Sequence, residues 1–148
     1  MPAYLSTELG GSANQTAAPT GYKPRVTVYN GRMKRLRASF TLATQTTSDT
    51  LVIGNLPAGA VFAFGHLVSS VSLGSSTLAI GIAGTTGKYR AAAVFTAVDT
   101  PTPFGVATQV AQSDAGLSAD EQVFATIGTA NLPASGTLVI DLYYSIPS

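Results

Sequence analysis

The chain has 148 residues, one domain's worth, with 45% apolar residues, a net charge of +1 and only 10% charged residues, where a typical soluble domain has about 25%. Gly, Ala, Ser and Thr fill the deficit, and a mean hydropathy of +0.29 excludes the disordered class, which combines low hydrophobicity with high net charge. The absence of cysteine excludes disulfide frameworks, thiolate zinc sites and thiol nucleophiles, and one His with seven carboxylates leaves little for acid–base or metal chemistry.

Taken in chain order, residues 1–24 read as an extended N-terminal arm. The stretch from Gly10 to Gly21 is small and polar, with no periodicity that would anchor a strand or helix. Residues 1–8 have neither a basic start nor an apolar run, so no export signal is read and cytoplasmic synthesis is expected. Six cations against one carboxylate give residues 1–37 a net +5. Two against six give residues 38–148 a net −4, so a basic front precedes an acidic body.

Residues 25–148 read as an antiparallel β-sandwich or jelly roll of about eight strands. Val26 and Val28, then Leu36, Ala38, Phe40 and Leu42, alternate with polar residues as a half-buried strand requires. Further runs cover 50–53, ending at Gly54-Asn55, then 60–64 and 66–73. Residues 77–82 end at a Gly84–Gly87 turn, and 104–111, 122–127 and 136–146 complete the set. Pro57, Pro101, Pro103, Pro133 and Pro147 fall between runs. Ala91-Ala92-Ala93 is the exception, expected as a short helix. Asn55-Leu56-Pro57-Ala58-Gly59 and Asn131-Leu132-Pro133-Ala134-Ser135 are near copies, which predicts equivalent turns on two halves of the sandwich. The longest apolar stretch, 56–68, is broken by Pro57, Gly59, Gly65 and His66 and is too short to span a membrane as a helix.

Candidate chemistry is sparse. His66 has no Gly-x-Ser-x-Gly elbow or other nucleophile motif with it, so a structural or interface role is expected. Asp120 and Glu121 are adjacent and on a strand would point to opposite faces, so no acid–base pair is read there. Lys88 closes a Gly-rich stretch, but Tyr89 stands where a phosphate loop needs Ser or Thr. No catalytic, cofactor or metal residues are assigned, and the chain is read as a non-enzyme.

The strongest charge feature is the basic cluster of Arg32, Lys34, Arg35 and Arg37, preceded by Tyr22, Lys23 and Arg25. Its alternation with Leu36 and Ala38 suits a basic strand against an acidic protein surface. Nucleic acid is disfavoured, since a pI of 8.0 lies below the value above 9 usual for nucleic-acid domains. Of Tyr143 and Tyr144, which point to opposite sides of the last strand, one is expected in the core and the other, assigned as Tyr144, in a partner contact.

Three segments carry a resemblance. They are Asp49 to Val61 with its Leu-Pro-Ala-Gly turn, Ser76 to Tyr89 with its Leu-x-Ile-Gly strand, and the Tyr-bearing close from Ala134 to Tyr144. Over about residues 36–145 the chain resembles small virion proteins of tailed bacteriophages, of the capsid decoration or cement type. That resemblance implies a β-sandwich or jelly roll on the capsid surface of the virion, present in many copies. Its implied partners are the major capsid protein and copies of itself, as a homo-oligomer such as a trimer, with no membrane and no cofactor. Alternatives are a neck, tail or head-fibre component with the same domain, or a glycan-binding module.

Overall fold

The computed structural model describes residues 32–105 and 116–146. These form eight strands: β1 (Met33–Thr41), β2 (Thr50–Leu56), β3 (Val61–Ser69), β4 (Thr77–Ile82), β5 (Thr85–Val94), β6 (Thr102–Phe104), β7 (Glu121–Gly128) and β8 (Thr137–Ser145). They make two four-stranded sheets ordered β1-β8-β3-β6 and β2-β7-β4-β5, and every pairing is antiparallel. The pairs β4–β5, β3–β6, β2–β7 and β1–β8 nest one outside another, like a long hairpin rolled up, which is the jelly-roll topology. The all-β expectation therefore holds, and no helix occurs among the described residues. The expected arm at 1–24, together with Val26 and Val28, lies outside them.

The period of two explains the core. Leu51, Leu78, Ile80, Val123, Ala125 and Ile127 line the inner face of one sheet, and Phe62, Leu67, Leu138, Ile140 and Leu142 line that of the other. Burying each of the large side chains among them contributes about 1.5–3 kcal/mol.

The two Asn-Leu-Pro-Ala turns are equivalent in a definite sense. Each carries the chain from the β2-containing sheet to the β1-containing sheet, one from β2 to β3 and the other from β7 to β8. Because β2 and β7 are antiparallel neighbours, the corners sit at opposite ends of the sandwich. Leu56 and Leu132 plug the core at each end. At the first corner Gly59 has φ of 82°, a left-handed conformation that a Cβ would strain. There the N–H of Ala58 donates to Asp120 Oδ1 at 2.7 Å, and the N–H of Gly59 donates to the Leu117 carbonyl at 2.7 Å. At the second corner the N–H of Leu132 donates to the Gln45 carbonyl at 2.9 Å.

Four local expectations need correction. Gly54-Asn55 does not end β2; the register shifts between Val52 and Gly54, and the strand continues as a bulge to Leu56. Gly65-His66 does not divide the next run either. β3 passes through it because the Phe104 ring occupies the space beside Gly65, where an added Cβ would lie 2.1 Å from it. Ala91-Ala92-Ala93 is strand, not helix: pairing with β4 overrides the helical preference of alanine. Pro103 lies inside β6, on a sheet edge where its missing N–H leaves the ladder intact. The run expected over 104–111 is described only to Gly105, β6 ending at Phe104.

Candidate interface surface

Cross-strand partners in an antiparallel pair share a face. On the β1-containing sheet, Leu36, Ala38 and Phe40 pair with Leu142, Ile140 and Leu138, all inward. The outward face therefore carries Arg35 beside Tyr143 beside Phe64, and Arg37 beside Asp141 beside His66 beside Pro103. Ser39, Val139 and Val68 form the next row.

The centre of that face is aromatic. Phe64 and Tyr143 stack with centroids 4.8 Å apart and planes 17° from parallel. His66 meets both edge-on, at 5.4 Å from Phe64 and 5.5 Å from Tyr143. Phe64 remains 38% exposed, and Met33 near one end of the face is 46% exposed. His66 is thus part of an aromatic cluster on the outward face.

The rim along β1 is cationic. Arg32, Lys34, Arg35 and Arg37 are all exposed. Arg37 Nε lies 3.1 Å from Asp141 Oδ1, close enough for an ion pair although not aligned as a directed hydrogen bond. The Asp141 side chain is only 8% exposed, so Arg37 is the charge that balances a buried carboxylate. Arg35 and Lys34 have no ion-pair partner among the described residues. Tyr22, Lys23 and Arg25 lie outside the described residues.

The two tyrosines divide as their positions on alternate faces require. Tyr144 pairs with Phe62 and packs against the core, while Tyr143 faces outward.

The remaining cations are structural. Lys88 Nζ sits 2.5 and 2.7 Å from the two carboxylate oxygens of Glu121, which also accepts the Tyr89 hydroxyl at 2.8 Å. Burial, helped by that carboxylate, pushes the Tyr89 hydroxyl well above the ordinary tyrosine range. Arg90 donates to the carbonyls of Leu78, Ala93 and Val94, bridging the gap where β5 bulges away from β4. Burial lowers its affinity for the proton. Composition gave no signal for this role, since it depends on where the bulge falls.

Among the described residues no group of three or more His, Cys, Asp or Glu is arranged to hold a metal ion. Asp120 and Glu121 serve different partners, the Ala58 amide and the Lys88–Tyr89 pair. The arrangement sets an exposed aromatic centre beside arginines, residue types enriched in protein contacts.

The sequence matches no family profile and no curated protein. Solved structures do match the fold. A chain in the capsid asymmetric unit of cyanophage Pam1 aligns with a TM-score of 0.61 at 22% identity, over 99% of this chain and 100% of that one. A chain in the capsid of Ralstonia phage GP4 aligns at 0.62 and 18% identity, over 80% of this chain and 86% of that one. One in the acid-stable capsid of Helicobacter pylori bacteriophage KHP30 aligns at 0.56 and 17% identity, over 78% and 89% respectively. The eight-stranded jelly roll is thus a fold that phage capsid structures contain.

Proposed function

We propose that this protein is a non-enzymatic structural component of a bacteriophage virion that binds the capsid lattice as a decoration or cement protein. The observation that carries the reading is the end-to-end alignment with a chain of a phage capsid asymmetric unit. The alignment spans 99% of this chain and 100% of one chain of that capsid asymmetric unit. The outward aromatic face supports the same reading, since exposed apolar clusters rimmed by polar residues mark interaction sites.

In this reading the partners are the major capsid protein and further copies of this chain. Tyr143, rather than Tyr144, makes the aromatic contact, with Arg35 and Arg37 beside it. Residues 1–24 serve in this reading as the arm that reaches neighbouring subunits, and deleting them should weaken assembly. Repetition over a symmetric lattice offsets weak single contacts.

Cryo-electron microscopy of the particle tests this. Density for the chain repeated across the whole shell is expected. Density restricted to one vertex or to the tail would overturn the decoration role while keeping the chain in the virion. Absence from purified particles would overturn the proposal outright.

A further inference from the structure

We propose that the edge of β1 that no described strand covers receives an extended segment of another polypeptide in which acidic and apolar residues alternate. The two sheets present four edges, formed by β1, β6, β2 and β5. Three are blunted. β6 is three residues long and contains Pro103. β2 carries a bulge between Val52 and Gly54, and β5 follows β4 only through two register shifts. Short strands, proline and bulges are the ordinary means of preventing edge-to-edge pairing.

β1 has none of them. Its nine residues pair with β8 position by position, without a break, from Met33–Ser145 to Thr41–Thr137. The opposite side of the strand has no partner among the described strands. An unbroken edge of that length presents a regular row of backbone donors and acceptors to an incoming strand.

The side chains specify what that strand would be. On the outer face Arg35 and Arg37 stand two residues apart and exposed, so an added strand would meet them with every second residue. Acidic residues fit there; Arg37 would be held between that carboxylate and Asp141, and Arg35, which has no ion-pair partner among the described residues, would gain a counter-ion. On the inner face Leu36, Ala38 and Phe40 are only partly buried at the border of the core, and apolar residues opposite them would continue it. The same charges disfavour a second copy's β1 as occupant, because full antiparallel overlap would set Arg37 against Arg37 and offer Arg35 no carboxylate. The edge would act in this way whether or not the chain is part of a virion.

The test uses the full chain and a nine-residue peptide alternating Glu with Val and Thr, followed by amide chemical shifts. A peptide of identical composition with its Glu residues in one block is the control. Shifts confined to residues 33–41 are expected, with affinity about tenfold or more above the control, as two cross-strand ion pairs and apolar cover would give. N-methylation of alternate peptide amides, in one of the two registers, should abolish binding. The double variant Arg35→Glu, Arg37→Glu should weaken binding by a similar factor. Equal affinity for the blocked peptide, indifference to N-methylation in both registers, or shifts on another surface would overturn the proposal. The N-methylated peptides are read on the unmodified protein, so the outcome does not depend on the variant folding.

Discussion

The ring of Phe64 on β3 lies flat against that of Tyr143 on β8, 4.8 Å away, on the outside of the sheet rather than in the core. An outward pair of this kind adds about 0.5–1.5 kcal/mol beyond its buried area. Tyr143→Ala should therefore lower stability by about 1 kcal/mol in urea melts and leave the fold cooperative. Its larger effect should be on assembly, with the copy number in purified particles falling severalfold. Full incorporation of the variant would show that this face is not the contact.

The Arg37–Asp141 pair is asymmetric, with an exposed cation over a nearly buried carboxylate. Arg37→Ala leaves that carboxylate without its counter-ion and should cost about 1–3 kcal/mol. Asp141→Asn should cost less, because it removes the buried charge itself. The double variant should be close to Asp141→Asn alone, and a urea-denaturation cycle measures the coupling directly.

Arg90 stands in for amide donors that the β4–β5 bulge fails to supply. Arg90→Ala leaves the part-buried Leu78 carbonyl without its donor, while the Ala93 and Val94 carbonyls can turn to water, and should destabilise by about 1–2 kcal/mol. Arg90→Lys should recover only part of this, since one ammonium cannot reach three carbonyls in the plane a guanidinium covers. Hydrogen exchange should show the loss first in β5.

Tyr89 sets a limit at alkaline pH. Its hydroxyl holds its proton more tightly in the folded chain than in the unfolded one, where its pKa is about 10. The folded state then binds more protons above that value, so stability is full below about pH 10 and falls as pH rises beyond it. Tyr89→Phe should flatten that alkaline loss. In a spectrophotometric titration it should also remove one tyrosine that ionises above the ordinary tyrosine range. An unchanged titration curve would contradict the burial argument.

Much of the fold is legible in the sequence because a half-buried strand writes its burial directly as alternation. Leu36, Ala38 and Phe40, or Leu138, Ile140 and Leu142, need no tertiary information. What failed were local signals overruled by distant partners. Gly65 reads as a break until Phe104, brought alongside by β6, fills the space beside it. Ala91 to Ala93 read as helix until β4 supplies a ladder. The site was half legible: the basic strand stands out by charge, whereas Phe64, His66 and Tyr143 lie far apart in sequence and meet only through the β3–β8 register. Two adjacent tyrosines must face opposite ways, but nothing local says which one faces water.

The nesting of the strand pairs has a kinetic side. The β4–β5 hairpin closes locally, whereas Met33 must wait for Ser145, more than a hundred residues downstream. Folds dominated by such distant contacts form slowly, because loop-closure entropy is lost before the contacts compensate for it. β1 is thus the first of the described strands to leave the ribosome and among the last to find its neighbour. Throughout that interval its hydrophobic residues Leu36 and Phe40 are interleaved with Lys34, Arg35 and Arg37, whose mutual repulsion keeps one nascent chain from pairing with the next.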